Sequence, residues 1–466
     1  MVLTRLYRRS KGPAAPLAKG TVGMSHPRER WTAQQLNRRE FLRRTAGTAV
    51  ALPTLAALLD ACSKPGTTAG AQASTMGTGG LVPPGAPYPL ARQDKPVKWN
   101  TFSENPPIAS NLQPETGATL QIFNWDQYIY KPIVQKFCDK YKCDYKITIF
   151  NNMEDGYGKL SNNKELQFDV FFPTIDYVGR LVSKKLIKPL NFDYIPNLKT
   201  NVWPVYQNPY YDQGARYTVP YVVYTTGIGY RREVISDDQI RAMPNPYDIL
   251  WDPTYKGKVG VYDSYRDVMM MTMLRRGETD LNTPDPTKIT QAGDDMIAMS
   301  KATNPRIKTD VAYVGVSGHH LYVSQAWSGD MVSAWWYTPQ LTEAEWKDLG
   351  YWFPADRTGN VDNDLITIPS NAKNPVLAHM FLNYMLDFKA SMDNFSWVGY
   401  QPPQIQADPN TLTTTQSIQG IPYVFPWMSD AVVREVDFAN GYRFGELSPD
   451  VDNLWTTQWD RFNSGA

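Results

Sequence analysis

The chain has 466 residues, 42% of them hydrophobic and 20% charged, and a formal net charge of +1. That length allows two or three domains, and the composition excludes a chain disordered throughout, a collagen and a multi-span membrane protein. The charge is unevenly placed: residues 1–61 hold 11 Lys/Arg against 3 Asp/Glu, and residues 62–466 hold 36 against 43. A basic head on an acidic body excludes a nucleic-acid binder, which needs its positive charge on the folded part.

The head reads as an address. Asn37-Arg38-Arg39-Glu40-Phe41-Leu42 precedes a mild apolar run from Thr45 to Leu59, broken by Gly47 and Pro53. A run of about 15 residues is too short to span about 30 Å of hydrocarbon. Basic residues, then apolar ones, then a small residue and Cys is the order of an export signal. It resembles a twin-arginine signal with Asn37 where Ser or Thr is usual, and Leu59-Asp60-Ala61-Cys62 resembles a lipoprotein cleavage box with an atypical Asp. Residues 1–61 are therefore expected to be signal, starting at Met1 or Met24, and Cys62 to carry lipid. Residues 62–117, rich in Gly, Ala, Pro, Thr and Ser, read as a flexible tether. The remaining cysteines, Cys138 and Cys143, form an even pair that an oxidising compartment could bridge; two reduced, buried thiols fit the spacing equally well.

The body alternates strands and helices. Thr119–Asn124 alternates as a strand, Ile129–Lys142 carries apolar residues at helical spacing with Pro132 in its first turn, and Asp144–Phe150 is again strand-like. Phe168–Pro173 is a short apolar strand, and Asp176–Leu186 a helix with a Lys-rich end. This rhythm implies a parallel sheet covered by helices. A second αβ region follows from Thr225 to Phe353, with helices predicted near Arg266–Arg276, Thr287–Lys301 and His319–Trp327 and a strand at Val332–Trp336. Leu365–Pro369 and Val376–Leu386 add a further strand and helix.

Seven fragments then occur in order: Phe123-Asn-Trp-Asp-Gln-Tyr128, Phe168-Asp-Val-Phe-Phe-Pro-Thr174, Val219-Pro-Tyr221 leading to Thr225-Thr-Gly-Ile-Gly229, Asp248-Ile-Leu-Trp-Asp-Pro-Thr-Tyr-Lys-Gly257, Ala334-Trp335, Ile368-Pro-Ser-Asn-Ala-Lys-Asn-Pro375 and Gly399-Tyr400. Together they resemble the spermidine/putrescine-binding proteins of ABC importers, over residues 118–460. The resemblance implies a two-lobed α/β fold of the periplasmic-binding-protein kind (type II), with the ligand in a cleft between lobes. Lobe 1 would be 118–223 plus 362–408, and lobe 2 would be 224–361 plus 409–466. It also implies a monomer that hands its ligand to the permease and ATPase subunits, and a lipid on Cys62 would hold it at the outer face of the cytoplasmic membrane.

Carried over residue by residue, the resemblance places Trp125, Tyr128, Trp335 and Tyr400 on aromatic ligand-lining positions, Asp267 on an amine-gripping acid and Thr174 on a hydroxyl position. At three acidic positions of the family this chain has Gln127, Ser264 and Asn363, while Asp126, Asp176, Asp263, Asp362 and Asp364 appear beside them. On a strand a one-residue displacement turns a side chain to the other face, so these new acids would either regrip a cation or point away. The expected ligand is a polyamine held by carboxylates and aromatic faces. An amino acid, an opine-like conjugate, another amine or a sugar is the alternative, with Arg266 available to meet an acid group, and a non-transport accessory lipoprotein is a further one. No cofactor or metal is expected: His319-His320 are adjacent on the chain, and no HExxH, EF-hand or GxSxG pattern occurs. The GxG of Thr225-Thr-Gly-Ile-Gly-Tyr230 lacks a third glycine and reads as a crossover strand with a tight backbone approach. Catalysis is not expected.

Overall fold

A computed structural model of the chain describes residues 82, 85–150, 152–162, 166–337 and 342–465. The export signal and Cys62 lie outside the described residues. Strand β1 (Thr119–Trp125) leads through helix α1 (Lys131–Tyr141) to β2 (Asp144–Phe150), then through α2 (Met153–Asn162) to β3 (Val170–Phe171) and α3 (Val178–Ser183). These strands form a parallel sheet in the order β2-β1-β3. Helix α1 starts at a proline, buries Ile133, Val134, Phe137 and Cys138 on one face, and stops at Lys142 in the left-handed region (φ 54°). Cys138 and Cys143 are both free thiols, joined through the backbone by Cys143 N–H donating to the Cys138 carbonyl at 3.0 Å.

Strand β4 (Val219–Arg231) opens the second sheet, followed by β5 (Val259–Val261), α4 (Tyr265–Arg275), α5 (Pro286–Thr303), β6 (Arg306–Ile307), β7 (Val323–Trp327), α6 (Ser328–Ser333), β8 (Leu349–Trp352) and β9 (Asn360–Ile366). The order is β6-β5-β7-β4-β8, with β9 also on β4. Helices α7 (Pro375–Met385) and α8 (Phe388–Val398) follow, and α9 (Pro449–Ser464) ends the described chain.

Two predicted elements exchange type. His319–Trp327 is not a helix: its second half is β7, a central strand flanked by β5 and β4. Its polar Ser324 and Gln325 are fully buried, and Gln325 donates to the Asp267 carbonyl at 2.7 Å, so polar residues hid a buried strand. Val332–Trp336 is not a strand; it continues from α6 into a 3-10 turn over Ala334–Tyr337. The strand predicted at Leu365–Pro369 begins five residues earlier, at Asn360.

The 13-residue β4 connects the two bodies. Val219–Thr226 pairs with β9, whereas Thr226–Arg231 pairs with β7 and β8. Beyond β9 the chain bridges to the first sheet through Phe171↔Thr367 and Thr174↔Asp364. The tight approach expected at the glycines of β4 is present: a methyl group on Gly227 would lie 2.2 Å from the Trp352 carbonyl oxygen.

Each body has its own core. One gathers Phe123, Phe150, Phe171, Val178 and Leu181; the other gathers Ile228, Val259, the methionines of α4, Val323, Trp455 and Phe462. The first core also contains Tyr88, Leu90, Val97 and Trp99, which corrects the tether. From residue 85 onward the segment is packed, because four large apolar side chains are scattered through its Gly- and Pro-rich composition. Val97 pairs with the main chain of Tyr210 and Gln213 at 2.8 Å, and Trp99 Nε1 donates to the Tyr211 carbonyl.

Candidate functional site

The ends of β1, β3, β5 and β7 converge where β4 and β9 cross between the bodies, and there six aromatic rings meet four carboxylates. Tyr128 follows β1 through a turn in which Gln127 takes a left-handed φ of 55°. Its ring meets those of Tyr221 and Tyr400 edge-on, each at 5.3 Å between centroids. Tyr400 in turn meets Tyr224 of β4 at 5.7 Å, Tyr224 meets Trp327 at 6.4 Å, and Trp327 stacks on Tyr262 at 3.9 Å. Edge-to-face contacts of this kind hold rings in fixed orientations, so the site has a firm aromatic lining.

The acids are attached to these rings. Tyr128 Oη donates to Asp364 Oδ2 at 2.7 Å. Tyr400 and Tyr262 donate to the two oxygens of Asp330 at 2.7 and 2.8 Å. Trp327 Nε1 and Ser264 Oγ donate to Asp267 at 3.0 and 2.6 Å. Thr174 Oγ1 donates to Asp176 at 2.5 Å. Burial pushes the carboxyls of Asp364 and Asp330 up to about 7, against the lowering effect of the tyrosine hydroxyls. Burial also raises Asp267. Repulsion adds to this, since Asp362 first, and then Asp176 and Asp267, raise Asp364. Among the described residues none of the four acids makes an ion pair with Lys or Arg, and Asp364 Oδ1 is buried without a hydrogen-bond partner. A buried acceptor left open is uncommon in a finished core. The arrangement is short of positive charge and of hydrogen-bond donors.

The structure therefore brings together Tyr128, Thr174, Asp176, Ser264, Asp267 and Tyr400, and leaves the other predicted residues elsewhere. Trp125 packs against Phe150 at 4.7 Å and donates to the Phe172 carbonyl, on the first core. Gln127 is exposed and donates to Asp126 at 3.3 Å. Trp335 is corrected: because its segment is helical, among the described residues its ring stacks on Trp336 at 4.4 Å and leans on Trp346 rather than on the six rings above. The aromatic residue ending a strand here is Trp327. Asn363 is corrected as well. It lies on the opposite face of β9 from Asp364, bonded to Tyr211 Oη at 3.0 Å and to Arg443. Asp364 faces the rings instead, and Asp362 pairs with Arg443 at 3.3 Å. Sequence reasoning missed Tyr221, Tyr224, Tyr262, Trp327 and Asp330. Trp327-Ser-Gly-Asp330 carried the available signal, an aromatic residue three positions before an acid at a strand-to-helix junction.

Comparison with known proteins gives the family and the fold. The family described as bacterial extracellular solute-binding protein matches residues 133–416. The chain is 26% identical over 291 residues to spermidine/putrescine-binding periplasmic protein 1 of Haemophilus influenzae, covering 62% of this chain and 76% of that one. It is 25% identical over 308 residues to a putrescine/cadaverine-binding protein of Pseudomonas aeruginosa, covering 65% and 84%. Among solved structures, the spermidine/putrescine ABC transporter substrate-binding protein PotD of Streptococcus pneumoniae superposes with a TM-score of 0.60 at 20% identity, covering 75% of this chain and 99% of that one. That likeness shows the fold, the two-lobed binding-protein architecture with two α/β bodies joined by crossing strands. With that fold, and with the family matching well over half its length, this chain belongs to the bacterial extracellular solute-binding proteins.

Proposed function

We propose that the interlobe cleft binds a linear polyamine of the spermidine or putrescine kind and that the protein delivers it to the permease of an ABC importer. The observation that carries this reading is the open oxygen of Asp364, set among ring faces and three further carboxylates, none of which makes an ion pair with a described Lys or Arg. An alkylammonium supplies what is missing: N–H donors and positive charge for the acids, and methylenes to lie along the rings. Each cation–π contact contributes roughly 0.5–2 kcal/mol, and hydrogen bonds to an ionised group are stronger than neutral ones. The names of the relatives support the same class of ligand.

A zwitterion is less well served. Arg266, the base available to meet an acid group, is enclosed by the Phe444 and Trp455 rings and donates to Asn282 Oδ1 and the Gly445 carbonyl. The lobes are proposed as 118–223 plus 362–408 and 224–361 plus 409–466, closing on one ligand per monomer. Export by the twin-arginine route and a lipid on Cys62 complete the proposal.

A thermal-shift panel of putrescine, spermidine, basic amino acids and sugars tests it. A ligand bound at micromolar affinity corresponds to about −8 kcal/mol. At 100-fold excess it adds about 2.7 kcal/mol of stability, which for a domain of this size raises the melting temperature by about 3 °C. Shifts with putrescine or spermidine support the reading; shifts with sugars alone discard it.

A further inference from the structure

We propose that Arg180, Glu446 and Tyr88 form a clasp between the two bodies, closed by the segment that precedes β1, and that this clasp sets how fast ligand leaves the cleft. The inference rests on the cleft reading above for its kinetic readout.

Arg180 belongs to the first body. It sits on α3, and its guanidinium lies over the Tyr177 ring at 4.6 Å, in the same turn that carries the cleft residues Thr174 and Asp176. Glu446 belongs to the second body. Its neighbour Gly445 donates to Asn282 Oδ1 at 2.7 Å and accepts from Arg266, while Leu447 is part of the second core. Between them Arg180 Nε meets Glu446 Oε1 at 2.6 Å, with the glutamate side chain only 6% exposed.

The N-terminal segment completes the joint. Tyr88, part of the first core, donates its hydroxyl to the same Glu446 oxygen. Arg92 donates to the Glu446 carbonyl at 2.8 Å, and Gln93 to that of Phe438 at 3.0 Å. Further on, Trp99 and Asn105 hold the segment to the Tyr211 and Ile187 carbonyls. One continuous stretch thus binds both bodies. The approach is close enough to require glycine at position 179: a methyl group there would lie 2.5 Å from Glu446 Oε2 and 2.8 Å from the Tyr88 ring.

Opening the cleft moves Asp176, and with it Tyr177 and Arg180, away from the second body. The glutamate then loses both donors. A buried ion pair broken on one side leaves an uncompensated charge until water reaches it, so the clasp opposes opening. It acts on ligand escape more than on entry, because an open cleft has already released it.

The test uses spermidine and stopped-flow tryptophan fluorescence on the full-length protein. Tyr88→Phe and Arg180→Lys keep the packing and the charge while removing a donor or its geometry. Each is expected to speed dissociation at least about fivefold, and Glu446→Gln at least about tenfold, with association unchanged within about twofold. Dissociation matching the wild type within about twofold in both Tyr88→Phe and Arg180→Lys overturns the clasp, whether or not Glu446→Gln folds. If wild-type protein binds no spermidine, the cleft reading fails instead. Small-angle scattering of the ligand-free protein then decides the clasp: a larger radius of gyration in Tyr88→Phe than in wild type supports it, and superimposable curves refute it.

Discussion

Replacing Asp364 by asparagine keeps the shape of the cleft and removes the charge that faces its rings. At pH 8, where the wild-type carboxyl is ionised, a charge-assisted hydrogen bond to an ammonium group contributes about 1.5–3 kcal/mol, so Asp364→Asn should weaken spermidine binding by roughly 10- to 150-fold. The pH dependence follows from the same group. Burial raises the carboxyls of Asp364 and Asp330 to about 7. An arriving cation favours the ionised forms and lowers both, so binding at pH 7 expels protons. The release should be larger in the wild type than in Asp364→Asn, which has lost one of the two raised carboxyls. Affinity should therefore fall as pH drops from 8 to 6, more steeply in the wild type than in the variant. Titration calorimetry in two buffers of different ionisation enthalpy reads the proton count directly. A binding enthalpy independent of buffer, with affinity flat from pH 6 to 8, would refute the reasoning.

Other outcomes follow from the same contacts. Without ligand, the raised carboxyls of Asp364 and Asp330 (about 7) and of Asp212 and Asp362 (about 6) bind protons in the folded chain before the unfolded one does. Stability should thus rise as pH falls from 7.5 to 6, outweighing His379, whose lowered value of about 4 acts oppositely; a melting temperature that drops over this window contradicts it. Trp327→Ala should weaken amine binding at least about tenfold by removing a ring face and the Asp267 partner. Trp335→Ala should instead cost about 3–5 kcal/mol of stability with affinity nearly unchanged, and equal affinity losses in both variants would show that the cleft is misplaced. Gly399→Ala should destabilise the fold, since its φ is 79° and a methyl group would meet the Gly329 carbonyl oxygen at 2.4 Å; an unchanged denaturation midpoint argues otherwise. Arg38→Lys with Arg39→Lys should leave precursor in the cytoplasm on cell fractionation, whereas normal maturation points to another export route.

Much of the first body could be read from the chain because its signals are local. Thr119–Trp125 and Asp144–Phe150 follow strand periodicity, and α1 declares itself by Pro132 and an apolar face. The errors come from long-range contacts. Gln325 and Ser324 look polar and loop-like until the neighbouring strands supply their partners, and this displaced the predicted cleft tryptophan from Trp327 to Trp335. On β9, Asp362, Asn363 and Asp364 are consecutive, and only long-range partners, Tyr128 on Asp364 and Arg443 on the other two, decide which of them meets the rings. The site itself joins residues as far apart as Tyr128 and Asp364, separated by 236 positions. No local pattern encodes that pairing. The packed segment from residue 85 was hidden by averaging, because composition counts its glycines and prolines and overlooks the spacing of Tyr88, Leu90, Val97 and Trp99.

The most direct test is a crystal structure of the mature domain grown with saturating spermidine. The amine should lie along Tyr128, Tyr224, Trp327 and Tyr400, with one nitrogen within about 3 Å of Asp364 Oδ1 and another within reach of Asp267. Density for the amine elsewhere on the molecule, or a cleft holding only solvent at that concentration, would contradict the account.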